Sequence, residues 1–579
     1  MFSDALRQAF EELVRLRVHD VRHRLGHRAV VHGVGEIVRC ASRAEIDREF
    51  QVDAKRLRAF PFLRKHTVHS GDEQVLHDDH AHAPDRKRLS GGSSHTRARH
   101  LPHGPRLEVV QRSTKIVATL GPATSDPQVL KNLLAAGVDV VRLNAAHGTA
   151  ALHEENAAAA REAAEAVGRV VGVLVDLPGP KLRTGPIEGD WVPLEPGETL
   201  TLSAESVMGT KDRVSTTIDG LASLVHPGGE VFLADGEIVL KVAEIDNEDV
   251  VCTVVRGGVL RSRKGMYVPG AEHHVAAFTE ADRVAFDMSL RIRADFIGLS
   301  FVRDAKDVQR VRDMLPKRGH KPALVSKIET RASLAHLEAI AELSDAIMVA
   351  RGDLGIQVDI ARVPLIQKNL IDIANRTGTP VITATQVLLS MTKAPIPTRA
   401  EVTDVANAVL DGTDALMLSE ETAVGEYPVE TIETMARVAM SAESWPRQRL
   451  HPAEIAVGED PVSWAVAHAA VEAADDLKAA AIVCPTRSGA TPRRVATFRP
   501  NVPIIGLSDH PEVLSRLALS RGVYPSRIRS VSPGDEEIEV CVEAALRFGF
   551  VNEGDLVVIA SASAGRRAGS TDSMRVVRV

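Results

Sequence analysis

The segment ALVSKIE, Ala323–Glu329, closes an apolar run with a lysine and a carboxylate two residues apart. In an extended strand such residues share a face, so Lys327 and Glu329 project together. The pair fits two chemistries: a structural ion pair, or an electrophilic cation beside a metal ligand. The next such run, AIMVARGDLG, brings Asp353 after an Arg-Gly step that reads as flexible. Two carboxylates from neighbouring strand ends, completed by substrate oxygens and water, suit Mg2+, with Mn2+ as a substitute. Gly352 lets backbone N–H groups approach an anion closely. Thr383 and Thr385 in VITATQ share a face, Arg142 opens RLNAAHG, and Lys181 and Arg183 lie in VDLPGPKLRTG. Cations, two carboxylates and a hydroxyl suit a phosphorylated carboxylate held by a metal. Phosphoryl transfer asks for positioning and charge neutralisation more than for covalent chemistry.

Such residues need a scaffold that brings the ends of separate strands to one mouth. Eight short apolar runs each stop at a polar or glycine-rich loop: KIVATLG, VVRLNAAHG, GVLVDLPG, DFIGLSFV, ALVSKIE, AIMVARGD, VITATQ and ALMLSEE. Helical stretches such as Ala150–Val167 and Asp304–Arg318 separate most of them. This alternation predicts an α/β fold, a (β/α)8 TIM barrel with its chemistry where the strands end. Residues 113–183 and 270–443 are assigned to the barrel. Residues 184–269, rich in Val, Thr, Gly and Asp with turns such as DNED and RGG, read as an inserted small β-barrel domain, a lid over the catalytic face. The rest, 444–579, opens with a Pro- and Trp-containing linker. It reads as a C-terminal α/β domain, with strands in AAAIVCPT, VPIIGLS, RGVYPSRI and DLVVIAS.

Composition excludes several classes. The formal net charge of -7 gives no hint of nucleic-acid binding. The four cysteines, Cys40, Cys252, Cys484 and Cys541, are isolated and suggest neither a disulfide framework nor a zinc site. No apolar run reaches the ~20 residues of a membrane helix, and no signal peptide is visible, so a cytoplasmic location is expected. Residues 1–112 carry about half of the 22 histidines and many arginines. They read as a poorly ordered extension, a metal-binding or regulatory tail, or a start-site artefact, since Met208 is the next methionine after Met1. Only Ala5–Val18 has helical spacing.

Beyond about Ser113 the chain resembles the pyruvate kinase family. The resemblance rests on TKIVATLGPAT, ALVSKIET, IMVARGDLG, PVITATQ, PTRAEVTDVANAVLDGTDALMLSEETAVGEYPVE and GSTDSMRVVRV, which follow in that family's order. It implies phosphoryl transfer between phosphoenolpyruvate and ADP, giving pyruvate and ATP, in a homotetramer. Arg142 and Lys327 would neutralise the transferring group, and Glu329 and Asp353 would hold Mg2+. Gly352 would receive the substrate carboxylate, and Thr385 would assist protonation of the enolate through water. Pro122, Asn144, His147, Arg183 and Lys264 match nucleotide-side positions; for His147 an ordinary loop histidine competes. A catalytically weak metabolite-binding paralogue and a barrel lyase acting on phosphoenolpyruvate or pyruvate are the alternatives, though every first-rank residue is present and a lyase needs no nucleotide site.

The chain also departs from the family. Many members bind K+ through NFSHG and DTKGPEIRTG; here Asn144 and Asp176 remain, but Ala146 and Leu177 replace two hydroxyl-bearing ligands. The glutamate of the second motif is Lys181, so an ammonium is expected to stand in for K+ beside Asp176 and Asn144. Lysine there resembles a potassium-independent class. Glu420 stands where many relatives have Gly or Ala, with no evident consequence. TRSGAT, Thr486–Thr491, resembles the loop where relatives bind phosphorylated effectors; an ordinary strand-to-helix turn is the competing reading.

Overall fold

The computed structural model describes residues 112–218, 220–271, 276–445, 460–530, 534–563 and 569–579. The expected N-terminal extension, with its helical reading of Ala5–Val18, and most of the expected linker lie outside the described residues.

Eight parallel strands close a barrel. They are β1 (Lys115–Thr119), β2 (Val140–Asn144), β3 (Gly172–Asp176), β4 (Phe296–Leu299), β5 (Ala323–Ile328), β6 (Ala346–Ala350), β7 (Val381–Ala384) and β8 (Ala415–Leu418). Each is a short run of mostly Val, Ile, Leu and Ala because both faces are covered, the outer by helices and the inner by the other strands. The predicted helices form as Ala150–Ala166 and Ala305–Met314, capped by Thr149 and Asp304.

Strand parity separates packing from chemistry. Val117, Val140, Leu174, Phe296, Val325, Met348, Ile382 and Met417 form one cluster inside the barrel. Thr119, Arg142, Asp176 and Lys327 share the parity of Val117, Val140, Leu174 and Val325, two residues nearer the C-terminal ends. The same inward row is therefore apolar below and polar at the mouth.

The insert is a six-stranded sheet ordered 266–267, 230–233, 238–246, 249–256, 199–203, 213–215, with a two-stranded ribbon of 191–194 and 258–261. The insert is thus sheet-rich as expected, but its strands form an open sheet and a ribbon rather than the expected closed small barrel, and the entering chain runs along both edges of the sheet. Arg183 bridges to Gly265 at one sheet edge and Thr184 to Thr216 at the other. Met266 N–H donates to the Leu182 carbonyl at 2.8 Å and Gly185 N–H to that of Ser215 at 2.7 Å. Leu200, Leu202, Leu233, Ile238, Leu240 and Leu260 fill its core.

The C-terminal sheet has five strands where four were expected. In spatial order they are β11 (Val523–Arg527), β10 (Ile504–Ser508), β9 (Ala481–Pro485), β12 (Leu556–Ser561) and β13 (Ser573–Arg578), the last antiparallel. Strand β13 was missed because Arg575, Arg578 and the exposed Met574 blur its apolar pattern. Pro525 is tolerated because β11 is an edge strand. This domain docks on the floor of the catalytic barrel: Ala518 and Leu519 pack into the same cluster as the barrel interior. Close by, Lys115 Nζ donates to the Val523 carbonyl at 2.6 Å.

Candidate active site

The mouth is organised around Asp176, the last residue of β3 and 1% exposed. Its Oδ2 accepts from Arg142 Nε at 2.9 Å and from the same guanidinium's terminal nitrogen at 2.6 Å. Its Oδ1 lies 3.3 Å from Lys327 Nζ. Burial alone would raise the Asp176 carboxyl pKa, but Lys327 and Arg142 outweigh it and hold it below the usual range. Thr119 Oγ1, 3.0 Å from Arg142, fixes the other side of the guanidinium. Gly298 on β4 is what leaves room: a Cβ there would come within 2.8 Å of Asp176 Oδ1.

Lys327 Nζ also donates to Ser300 Oγ at 2.8 Å and lies 3.4 Å from Glu329 Oε2. Burial works against its charge, yet Asp176 and Glu329 keep its pKa above the ordinary lysine value. The ammonium is permanently charged and held from three sides. Ser300 Oγ in turn donates a hydrogen bond to the Leu177 carbonyl at 2.7 Å. Sequence reasoning did not single out Ser300, although it is the polar residue that directly follows the apolar strand in DFIGLSFV.

Glu329 is fully buried, and burial pushes its carboxyl up to about 7 despite the nearby lysine. Its Oε1 accepts from Phe301 N–H at 2.6 Å, while Oε2 is buried without a hydrogen-bond donor. Phe301 holds this amide in place at φ +55°, a left-handed conformation unusual for an aromatic residue. With the half-buried carboxylate of Asp353, this orphaned carboxylate oxygen could hold a hard divalent cation whose remaining positions would be open to substrate and water. Among the described residues no group of three or more His, Cys, Asp and Glu could hold a metal without such help.

Gly352 and Asp353 lie in the first turn of the helix Arg351–Gln357, which directly follows β6. Gly352 N–H donates to Thr385 Oγ1 at 2.9 Å, and Thr385 Oγ1 donates to the Ala384 carbonyl at 2.6 Å. The hydroxyl therefore faces the same mouth as the helix N-terminus. Thr383 does not join it: it is fully buried, with its hydroxyl 3.0 Å from Thr413 Oγ1. The Arg-Gly step is also less free than its sequence suggests, because the Arg351 side chain is tied down at both ends.

Comparison with known proteins decides the family. The model of the pyruvate kinase barrel domain matches residues 111–432, and that of the pyruvate kinase alpha/beta domain matches 464–577. The chain is 43% identical over 476 residues to a pyruvate kinase of Geobacillus stearothermophilus, covering 81% of this chain and 80% of the relative. It is 38% identical over 468 residues to that of Thermotoga maritima, covering 81% and 100%. It is 39% identical over 469 residues to pyruvate kinase 2 of Synechocystis, covering 80% and 79%. The chain belongs to the pyruvate kinase family.

The residues expected on the nucleotide side lie after the first two barrel strands and at the lid. Pro122 opens a short turn after β1, and Asn144 ends β2, its Oδ1 accepting from Ala146 N–H at 3.3 Å. His147 N–H donates to the Asn144 carbonyl at 3.1 Å. Burial, followed by the charges of Arg183, Arg142 and Lys181, holds the His147 pKa below the usual value, so it is neutral at neutral pH. Arg183 donates to the Arg263 carbonyl at 3.1 Å. Lys264 is exposed on the lid, anchored to Thr184 through its backbone.

The expected trio of Lys181, Asp176 and Asn144 separates into two. Asn144 and Asp176 are register partners on β2 and β3. The Lys181 ammonium lies instead 2.9 Å from Asp353 Oδ1 and 3.0 Å from Asp235 Oδ1 of the lid. Burial disfavours its charge, but the two carboxylates raise its pKa. The sequence located Lys181 in the right loop; it carried no signal for which carboxylate the flexible chain would reach. In the TRSGAT loop, Gly489 N–H donates to Thr486 Oγ1 at 2.9 Å, and the helix Ala490–Thr497 begins.

Proposed function

We propose that the barrel mouth transfers a phosphoryl group from phosphoenolpyruvate to ADP, giving pyruvate and ATP. The observation that carries this reading is the Lys327 ammonium, fixed by Asp176, Glu329 and Ser300 beside the Arg142 guanidinium. Two cations locked at one strand-end layer match charge that spreads over the oxygens of a transferring phosphoryl group, and they need no reorganisation as it moves. Glu329 and Asp353 would hold Mg2+, which would supply further charge neutralisation there. Gly352 and neighbouring amides receive the substrate carboxylate. As the bond between the enol oxygen and phosphorus breaks, an ADP oxygen forms a bond to that phosphorus and the enolate remains. A water held by Thr385 Oγ1 delivers a proton to the methylene carbon. His147, neutral, and Arg183 and Lys264 flank the nucleotide together with Pro122 and Asn144.

The Lys181 ammonium supplies fixed positive charge at the edge of this site, and Asp176 is already committed to Arg142 and Lys327. Turnover therefore proceeds without K+. A homotetramer and a phosphorylated effector at Thr486–Thr491 complete the reading. Among the described residues no helix is long and apolar enough to cross a membrane. The test is a coupled assay with phosphoenolpyruvate, ADP and Mg2+, with and without K+. Absence of pyruvate formation by pure, folded protein defeats the reading. The weak-paralogue and lyase alternatives are not favoured, because the full set of transfer residues and the nucleotide-side cations are present.

A further inference from the structure

Thr385 and Gln386 stand in left-handed backbone conformations, φ +68° and +53°, immediately after β7. A β-branched residue at positive φ is a genuine outlier, a strained conformation that persists only where its surroundings over-determine it. Nothing in VITATQ favours this geometry locally: neither residue is Gly, Asn or Asp. Something outside the segment must hold it.

That something is Arg351, at the start of the neighbouring helix. Its NH2 group donates to the Thr385 carbonyl at 2.7 Å and to that of Gln386 at 3.4 Å. Its Nε lies 3.2 Å from the carbonyls of both Ala384 and Thr385. The far side of the guanidinium is anchored by Asp404, whose oxygens accept from NH1 at 2.7 and 2.8 Å, and by Gln367 at 3.4 Å. Gln367 sits on the helix Val363–Thr377, which precedes β7, and Asp404 on the helix Arg399–Asp411, which follows it. One planar group thus ties three consecutive carbonyls of the strained turn to two adjacent helices. It is only 12% exposed, so water competes weakly for these bonds.

We infer that Arg351, oriented by Asp404, is a positioning residue that holds Thr385 in the strained conformation from which its hydroxyl serves the site. The inference rests on the role proposed above for Thr385. It explains why the guanidinium is required: a lysine ammonium cannot span three carbonyls and a carboxylate in one plane. It also gives a function to Asp404 in the PTRAEVTDVANAV segment.

The strain itself supplies the test. Glycine adopts positive φ freely, and the exposed Gln386 side chain can be removed without opening a cavity. Three variants are compared in the full chain: Arg351→Met, Gln386→Gly, and the two combined. Arg351→Met is expected to lower kcat by about 10- to 100-fold, the scale of a misplaced catalytic group, with the KM for phosphoenolpyruvate little changed. Gln386→Gly alone stays near the parent, and in the double variant it restores part of the lost kcat. Arg351→Lys does not substitute. Hydrogen exchange measured on the Val381–Leu388 peptide rises in Arg351→Met and not elsewhere in the barrel, a readout that needs no turnover. Exchange confined to that peptide together with rescue by glycine supports the inference. Unchanged exchange there, a uniform rise throughout the barrel, or a kcat loss that glycine does not relieve overturns it. If the parent protein makes no pyruvate, the transfer reading fails, and the exchange data still decide whether Arg351 holds the turn.

Discussion

Lys181 and Asp235 form an ion pair across the cleft between barrel and lid, 3.0 Å apart, while the same ammonium rests 2.9 Å from Asp353 on the barrel rim. Gly265 makes the pair sterically feasible: a Cβ there would come within 2.6 Å of Asp235 Oδ1 and 2.9 Å of Lys181 Cε. One lysine therefore joins the Asp353 carboxylate of the barrel rim to the lid.

Replacing Gly265 with Ala should part Lys181 from Asp235 without touching β1–β8. The expected result is a loss of about tenfold in kcat/KM, with increased hydrogen exchange across residues 230–237. A variant with parental kinetics and exchange would show that the pair does not set the lid position.

Rates measured in K+ and in tetramethylammonium at equal ionic strength should agree. Lys181→Met should lose activity in both, because it removes a fixed positive charge from the rim of the site. A strict K+ requirement in the parent protein would sink the assigned role of Lys181.

Lys327→Met should lower kcat by about three orders of magnitude or more, the scale set by electrostatic stabilisation of phosphoryl transfer. It also strands Asp176 Oδ1 and Glu329 Oε2, both buried without hydrogen-bond donors. A drop in thermal midpoint should therefore accompany the kinetic loss. A kcat near the parental value would remove Lys327 from its role.

Glu329→Gln has a pH dependence whose sign is fixed by burial. The folded carboxyl titrates near 7, against an ordinary value of 4.5. A raised carboxylate pKa contributes stability that is present below the unfolded value and lost as pH rises through the folded one. Without metal, the variant should thus gain on the parent protein as pH climbs from about 4.5 to about 7, with a flat difference above. Thermal unfolding across that range checks it, and a gap that narrows with rising pH would contradict the burial argument.

The barrel was legible because its strands are continuous apolar runs and its mouth residues fall on strand parity. Arg142, Lys327 and Glu329 could be placed from spacing alone. Ser300, Phe301, Asp235 and Arg351 could not be, because their importance lies in which distant atom they reach. The ammonium of Lys181 sits on a side chain with four rotatable bonds, and no periodicity fixes where such a chain ends. Thr385 was identified as a hydroxyl; its left-handed backbone was invisible because Thr ordinarily avoids it.

The interior floor of the catalytic barrel is completed by Ala518 and Leu519, which come from the other end of the chain. As a unit of inheritance, then, the barrel is not self-contained. A gene segment ending near residue 443 would encode eight strands around an unfilled base, and recombination between relatives at that junction would mismatch floor and wall. Leu519 is thus part of the barrel's core although the C-terminal domain carries it.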